Sequence, residues 1–274
     1  MTLDCEVVLT RSGEPAMRDR ISGEVMHPVV GPRVESRLLY AEGSKLRERL
    51  LGSGPGALLL LDVGLGAGSN AVAALEVALA LQGKGRPLRV VSFDQSLSAL
   101  EQALRPEHRE AFGYSGALLE AGLAVLRDRK YCSESVTWEL ELGTLPDTLA
   151  RIDAGSADVV YWDPFSPAKN PTLWTVATFS ELWTRCRDGA TFFTYSAATA
   201  TRSALLLAGF AVGEGESTGV GKRTTQAAAN VRDLARPLQR RWLETLSRSS
   251  APLPSDAPID ALDRIRAAAQ FCIG

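Results

Sequence analysis

Histidine and paired cysteine are scarce in this 274-residue sequence, which contains two histidines and four cysteines. The cysteines are widely scattered and no CxxC pair occurs, so neither a zinc site nor a disulfide framework is predicted. No apolar run approaches the about 20 residues that a membrane-spanning helix needs. The N-terminus also lacks the basic-then-apolar pattern of a signal peptide. We therefore expect a cytoplasmic protein with no metal site and no membrane partner.

Excess charge of either sign is absent as well. The chain has 30 basic and 32 acidic residues, for a net charge of −2. The whole molecule therefore has no general attraction for nucleic acid or anionic membranes, although a local basic patch can still bind RNA. The hydrophobic content of 45% is typical of a globular protein with a packed core.

Short apolar runs alternate with helical patterns from residue 57 onward. The predicted strands are 57–63, 88–93, 136–142, 157–162 and 189–195, with a closing pair at 210–213 and 223–229. The predicted helices between them are 70–82, 96–104, 115–129, 145–152, 171–186 and 197–208. Repeated strand–helix units indicate an α/β fold with a mainly parallel sheet and helices on both of its faces.

The two ends of the chain do not follow this repeat. We predict that residues 1–55 form an N-terminal extension packed on a core at 56–230. Residues 231–274 are predicted to form a C-terminal helical extension, whose two helices are joined by a Ser- and Pro-rich connector. The predicted helices in these extensions are 44–51, 237–248 and 259–271.

A proline-rich block at residues 163–171 reads Asp-Pro-Phe-Ser-Pro-Ala-Lys-Asn-Pro. Its three prolines cannot continue a helix or occupy the middle of a strand, so a shaped loop should follow the buried strand 157–162. Asp163 then lies at the carboxyl end of a strand, where ligands and catalytic groups of open α/β sheets are found. We expect Trp162 to face the core and Asn170 to brace the loop through backbone hydrogen bonds.

A glycine-rich loop follows the first strand of the repeat and reads Asp62-Val63-Gly64-Leu65-Gly66-Ala67-Gly68-Ser69-Asn70. Glycines allow a sharp turn and close approach of a ligand, and the next helix presents free N–H groups. A dinucleotide-binding loop would have Gly or Ala at position 69, where Ser69 stands. Asp94, at the end of the second strand, is suited to accept hydrogen bonds from ribose hydroxyls. Two other interpretations of the loop and Asp94 stay open. They bind NAD, or they are a helix-entry turn and a surface acid.

These motifs together resemble the methyltransferase domain of MnmC, the bifunctional tRNA 5-methylaminomethyl-2-thiouridine biosynthesis enzyme. The similarity covers roughly residues 20–228, and the proline block is its most specific part. Other matching positions are His27, 34–37, 42–46, 173–175, Phe179, 194–197, Arg202, 209–210 and 219–223. The resemblance implies a class I methyltransferase fold with a seven-stranded sheet and S-adenosyl-L-methionine as cofactor. It implies that the cofactor is bound by Asp62, Gly64, Gly66, Gly68, Asn70, Asp94, Gln95, Gly143 and Thr144, although the family usually has Asp in place of Thr144.

The resemblance also implies an N-methyltransferase that acts on the aminomethyl group of a modified wobble uridine in tRNA, giving 5-methylaminomethyl from 5-aminomethyl. Asp163 is predicted to accept an amine hydrogen and to take or relay the proton, with a loop-bracing acid as the alternative. The expected substrate-binding residues are Phe165, Lys169, Asn170, His27, Lys222 and Arg223. Two alternatives stay open: Lys169 is a solvated loop residue, and His27 is a structural histidine. We expect no counterpart of the FAD-dependent oxidase half of the bifunctional enzyme, and a separate oxidase partner stays open.

Basic residues are concentrated at 218–248, where seven basic residues stand against two acidic ones. The stretch is either a contact for the tRNA backbone or an ordinary solvated face. The basic residues are Lys222, Arg223, Arg232, Arg236, Arg240, Arg241 and Arg248. Two other functions stay open: methylation of a small-molecule amine, and a degenerate methyltransferase fold that serves as an RNA-binding module.

Overall fold

The structure is a computed structural model that describes residues 4–26, 31–217 and 223–272. The predictions made for His27 and Lys222 lie outside these ranges. Within them, the strands are β1 (Cys5–Leu9), β2 (Pro15–Asp19), β3 (Leu58–Val63), β4 (Leu88–Asp94), β5 (Lys130–Cys132), β6 (Val136–Leu142), β7 (Ala157–Trp162), β8 (Cys186–Thr194), β9 (Ala211–Glu214) and β10 (Thr225–Ala228).

Most helices lie between the strands, as the sequence pattern predicts. The α-helices are α1 (Pro32–Glu35), α2 (Leu46–Leu51), α3 (Ser69–Ala80), α4 (Ser98–Ala103), α5 (Gly116–Asp128), α6 (Val176–Arg185), α7 (Thr199–Leu207), α8 (Trp242–Arg248), α9 (Ala261–Arg266) and α10 (Ala269–Cys272). A π-helix covers Ser36–Glu42, and 3₁₀ turns cover Leu149–Arg151, Pro171–Trp174 and Val231–Asp233.

The main sheet has eight strands among the described residues, in the order β5-β6-β4-β3-β7-β8-β10-β9. Strand β4 is parallel to both β3 and β6, whereas β10 is antiparallel to β8 and to β9. This confirms the predicted α/β class with a mainly parallel sheet. The three-residue strand β5, antiparallel to β6, adds an edge to the seven strands that were expected.

The chain divides into two compact units, one made of residues 1–144 with 161–165 and the other of 145–160 with 166–274. In the first unit, all six residues of β3 are buried, as expected of a strand covered on both faces. The antiparallel hairpin of β1 and β2 belongs to the same unit, and Gln102 Nε2 of α4 donates to the carbonyl oxygen of Cys5 over 3.2 Å. The predicted boundaries at residues 55 and 230 stay predictions.

In the second unit, the predicted helix at 237–248 is wrong in its first five residues, since α8 begins only at Trp242. Pro237 instead forms an isolated bridge with Gly213, and the Leu238 N–H donates to the carbonyl oxygen of Val212 over 2.9 Å. Pro237 and Leu238 thus extend the edge of the sheet and do not begin the helix. Leu238, Trp242 and Leu246 are nevertheless buried as predicted. The predicted helix at 259–271 is divided into α9 and α10.

The C-terminal segment of the second unit caps helix α6. Both carboxylate oxygens of Asp256 accept backbone N–H groups at the start of α6, from Val176 and from Ala177, each over 2.9 Å. These N–H groups have no partner within the helix, and a carboxylate also interacts favourably with the positive end of the helix dipole.

Replacing Asp256 by alanine is therefore expected to lower the free energy of unfolding by about 1–2 kcal/mol. The measurement is urea unfolding of the variant beside Ser255→Ala, which changes an exposed neighbour in the same connector. Equal midpoints for the two variants would contradict a capping role for Asp256.

Candidate functional site

The glycine-rich loop between β3 and α3 is held in a conformation that suits glycine. Gly64, Gly66 and Gly68 have φ angles of 91°, 51° and 83°, which L-residues with a side chain rarely adopt. The Gly64 N–H donates to the carbonyl oxygen of Phe93 over 3.0 Å, which ties the loop to β4. A Cβ on Gly66 would lie 3.0 Å from the Met26 sulfur. The φ angles and this close contact both explain why glycine is required in the loop.

Asp94 fixes the shape of this loop from the end of β4. Its Oδ2 accepts the Gly66 N–H over 2.9 Å, and its Oδ1 accepts the N–H groups of Gln95 over 2.7 Å and Ser96 over 3.1 Å. Burial raises the pKa of Asp94, and the three backbone bonds oppose that rise. A carboxylate has about four acceptor positions. Asp94 therefore closes the glycine loop and keeps capacity for a ribose hydroxyl.

Gln95, Gly143 and Thr144 surround the same strand ends. Gln95 has an exposed side chain, and its backbone N–H bonds to Asp94. The Gly143 N–H donates to the carbonyl oxygen of Asp94 over 2.9 Å, which aligns the ends of β4 and β6. Thr144 is exposed. The structure thus brings these residues to the predicted edge, and their contact with a cofactor stays a prediction.

Asp62 is a fully buried acid at the end of β3. Ser92 Oγ donates to Asp62 Oδ2 over 2.7 Å, and Trp138 Nε1 donates to Ser92 Oγ over 2.9 Å. Asp62 Oδ1 has no hydrogen-bond partner within the described residues. Burial raises the pKa of Asp62 to about 7, with smaller contributions from the charges of Asp163 and Asp94, while the Ser92 bond opposes the rise. The sequence analysis missed Ser92 and Trp138, although a serine inside a buried strand is a signal for such a bond.

Asp163 lies directly beside the glycine loop. Its N–H donates to the carbonyl oxygen of Val63 over 2.8 Å, and Asn70 Nδ2 donates to its Oδ2 over 2.8 Å. Asn70 is 3% exposed, and its own Oδ1 has no partner within the described ranges. The structure therefore brings together the two motifs that the sequence separates by 93 residues.

Tyr114 supports the loop from behind and was also missed by the sequence analysis. Its hydroxyl donates to the carbonyl oxygen of Ala67 over 2.7 Å and contacts the position where a Cβ on Gly68 would lie. Burial, helped by the charge of Asp62, raises the pKa of Tyr114 above its ordinary value. The hydroxyl therefore stays a neutral donor.

The predicted substrate-binding residues in the described ranges belong to both compact units. Phe165 is half-buried and belongs to the first unit, whereas Lys169, Asn170 and Arg223 belong to the second. The N–H groups of Lys169 and Asn170 both donate to the carbonyl oxygen of Ser166 over 2.8 Å, and the Lys169 residue is exposed. Arg223 is exposed and lies 3.8 Å from a Glu214 carboxylate oxygen.

No group of three or more His, Cys, Asp or Glu residues is placed to hold a metal ion in the described part of the chain. No helix within the described ranges is long and apolar enough to cross a membrane.

Comparisons with known proteins agree on the type of fold and on the class of cofactor. A family described as S-adenosyl-L-methionine-dependent methyltransferase matches residues 115–230. The MnmC bifunctional protein of Burkholderia vietnamiensis is 28% identical over 202 residues, covering 69% of this chain and 30% of that protein. Its counterpart in Pseudomonas aeruginosa is 31% identical over 185 residues, covering 65% and 28%. The chain thus spans less than a third of the length of these curated relatives.

A solved structure has the same type of fold. The crystal structure of MnmC2 from Aquifex aeolicus superimposes with a TM-score of 0.73 at 25% sequence identity, covering 96% of this chain and 84% of that one. The resemblance to the MnmC methyltransferase domain and the class I methyltransferase fold are thereby confirmed, and S-adenosyl-L-methionine is the cofactor.

The residues at the loop fit this cofactor. The loop glycines carry no side chains of their own, and the buried oxygen Asp62 Oδ1 lacks a donor within the described residues. S-adenosyl-L-methionine carries an ammonium group and a sulfonium charge, which match this unpaired acceptor and the acids Asp62 and Asp94. We propose that Asp62, Gly64, Gly66, Gly68 and Asp94 hold it, as the sequence predicts.

The raised pKa of Asp62 predicts how stability depends on pH. Below about pH 4 the carboxyl is protonated in both states, so its contribution to folding is fully present. As the pH rises from the ordinary value of 3.8 to about 7, the unfolded chain loses this proton while the folded protein keeps it. Stability is then lost by up to about 4 kcal/mol across that window.

Asp62→Asn removes this titration, so its free energy of unfolding should fall less between pH 4 and pH 7 than that of the natural protein. Urea unfolding at several pH values measures the difference. Asp153→Asn, at an exposed position, is the control and should keep the decline. Parallel pH curves for Asp62→Asn and the natural protein would contradict the account of Asp62.

Proposed function

We propose that this chain, an S-adenosyl-L-methionine-dependent methyltransferase related to the methyltransferase domain of MnmC, methylates the aminomethyl group of a modified wobble uridine in tRNA. The observation that carries the proposal is the Asp163 carboxylate, held beside the glycine loop by Asn70 over 2.8 Å. The similarity to MnmC proteins supports tRNA as the substrate, and a tRNA substrate in turn favours the cytoplasm.

The chemistry requires an amine that is neutral when it attacks. When bound, S-adenosyl-L-methionine supplies a methyl group attached to a positively charged sulfur. Asp163 accepts a hydrogen bond from the attacking amine and so directs the lone pair of the amine nitrogen toward that methyl group. It then takes or relays the proton that the nitrogen loses.

A base at the wobble position must be unstacked to be methylated, and it is then recognised by aromatic stacking and polar contacts. We propose that Phe165, half-buried two residues after Asp163, packs against the base or the cofactor. Lys169 and Asn170, on the loop that follows, are proposed to contact the substrate. His27, Lys222 and Arg223 remain in this proposal on the basis of the resemblance alone.

Contact with tRNA phosphates is proposed for two arginines at the start of α8. Three of the basic residues counted in the sequence are paired, Arg223 with Glu214, Arg236 with Glu216 and Arg248 with Glu244. Arg240 and Arg241 line an open depression on the surface together with Leu243, Glu244 and Ser247. Neither arginine has an ion-pair partner within the described residues, so both guanidinium groups remain available for phosphate.

The double variant Arg240→Glu/Arg241→Glu is expected to raise the KM for tRNA and to reduce the slope of log affinity against log salt by about 2, one per lost phosphate contact. Filter binding of tRNA at several salt concentrations measures this slope. Arg127→Glu, an exposed arginine of the first unit, is the charge control. If the double variant and the control bind tRNA alike, these arginines do not contact the backbone.

The proposed reaction is tested by incubating the protein with S-adenosyl-L-methionine labelled in its methyl group and with tRNA from cells that accumulate the aminomethyl nucleoside. Label should enter tRNA, and a simple alkylamine should accept little. Label that enters the alkylamine at the same rate, with no salt dependence, would favour a small-molecule methyltransferase. Calorimetry that shows no cofactor binding would favour a degenerate RNA-binding module.

A further inference from the structure

Asn70 makes a contact that its place in the cofactor loop does not predict. It is the second residue of α3 and is 3% exposed, and its Nδ2 donates to Asp163 Oδ2 over 2.8 Å. The carboxyl end of β3, just before the loop, also holds the backbone of Asp163, through the 2.8 Å bond from its N–H to the carbonyl oxygen of Val63. Backbone and side chain of the acid are thus both attached to the β3–α3 segment.

Gly64 brings the two motifs into direct backbone contact. A Cβ at Gly64 would lie 2.6 Å from the carbonyl oxygen of Asp163 and 2.8 Å from the nitrogen of Pro164. The peptide that carries the acid therefore lies against the first glycine of the loop. A side chain at this position would therefore displace the peptide that carries the acid.

We infer that Asn70 is a positioning residue, which fixes the Asp163 carboxylate in the orientation needed to receive the substrate amine. The inference rests on the proposed function. It assigns to Asn70 a role other than the cofactor contact that the family resemblance implies.

The choice of side chain agrees with this role. An amide donates a hydrogen bond without titrating, so it orients the carboxylate at every pH and favours its charged form. The opposite orientation of the amide would place Oδ1 against a carboxylate oxygen. The orientation in the structure instead leaves Asn70 Oδ1 buried without a partner in the described part of the chain, which shows that the bond to Asp163 takes precedence.

Kinetics of Asn70→Ala, Asp163→Asn and the double variant test the inference. Asn70→Ala is expected to lower kcat by about 10²-fold, because a misplaced reacting group has an effect of that size, with little change in the dissociation constant of S-adenosyl-L-methionine. In the Asp163→Asn background, Asn70→Ala should lower kcat no further. Additive losses, or a loss of cofactor affinity as large as the loss of kcat, would overturn the inference.

The pH profile of Asn70→Asp gives a readout that a purely structural role would not move. The new carboxylate lies beside Asp163, and like charges raise the pKa of one member of such a pair. The acid limb of the kcat profile should therefore move to higher pH by more than that of Asn70→Ala, which loses the amide hydrogen bond but gains no like charge. Asp62 lies close enough to Asp163 for their charges to interact. It is unchanged in both variants, so its effect on Asp163 is the same in the two profiles. Identical limbs for the two variants would overturn the inference.

A second measurement needs no substrate and separates this inference from the proposed function. Asn70→Ala should lower the Tm of the natural protein more than it lowers the Tm of Asp163→Ala, because the hydrogen bond exists only when both partners are present. Equal decreases would overturn the positioning role. Absence of tRNA methylation by the natural protein would overturn the proposed function and leave this thermal comparison to decide the role of Asn70.

Discussion

Replacing Asp163 by asparagine is expected to lower kcat for tRNA methylation by about 10²- to 10⁴-fold, the range for loss of a general base. Asparagine keeps the size of the side chain and can still accept the hydrogen bond from Asn70, which spans 2.8 Å in the natural protein. It does not take a proton. The dissociation constant of S-adenosyl-L-methionine should change little, since the glycine loop is held by Asp94 and by backbone bonds.

Single-turnover kinetics with saturating cofactor measure this effect, and calorimetry measures cofactor affinity. Asp153→Asn makes the same chemical change at an exposed position and should keep full activity. Full turnover by Asp163→Asn would remove the catalytic role and leave Asp163 as a loop-bracing acid.

Replacing Gly64 by alanine is expected to have the second large effect, on both stability and activity. The added Cβ would lie 2.6 Å from the Asp163 carbonyl oxygen and 2.7 Å from its carbonyl carbon, and neither backbone atom can move without displacing the acid. The φ of 91° adds strain of about 1–3 kcal/mol for a residue with a side chain. We expect loss of more than about 3 kcal/mol in the free energy of unfolding, and at least about 10²-fold in kcat.

Gly83→Ala is the matched control for this substitution. Gly83 also has a positive φ, of 76°, and a Cβ there would meet nothing within 4 Å. It should therefore show the conformational strain alone, with full activity. If Gly64→Ala is as stable and as active as Gly83→Ala, the packing of the glycine loop against Asp163 does not matter for function.

The sequence predicts most strands and helices of the repeat well, because these have a clear apolar period and are bounded by glycine or proline. The predicted helix at 145–152 is wrong, since only a 3₁₀ turn at Leu149–Arg151 forms there. Strand β7 matches its predicted bounds, and α3 starts one residue before the predicted residue 70. The helix at 237–248 was predicted too long because Leu238, Trp242 and Leu246 have helical spacing. The same spacing is satisfied by a segment that first pairs with the sheet edge and then turns into α8.

The site was predicted in its parts and not in its connections. The positions of Asp62, Asp94 and Asp163 at strand ends follow from where apolar runs stop. The bond between Asn70 and Asp163 joins residues 93 positions apart, and no local pattern encodes it. The chain from Trp138 through Ser92 to Asp62 likewise depends on the register between β4 and β6.

The basic stretch at 218–248 shows a different limit of sequence reasoning. The stretch contains seven basic residues and two acidic ones, but the structure pairs three of its arginines with acids. Two of these acids, Glu214 and Glu216, precede the stretch in sequence. Local charge counts ignore partners that the fold brings from neighbouring strands. The proposed contact with tRNA phosphates therefore rests on Arg240 and Arg241, which have no ion-pair partner within the described residues.

The most direct test of the central claim is mass spectrometry of nucleosides from tRNA that accumulates the aminomethyl wobble uridine, after incubation with the natural protein and S-adenosyl-L-methionine. We predict that the aminomethyl nucleoside disappears and that the methylaminomethyl nucleoside appears in equal amount, and that Asp163→Asn produces almost none. An unchanged aminomethyl nucleoside in the presence of a protein that binds the cofactor would contradict the account.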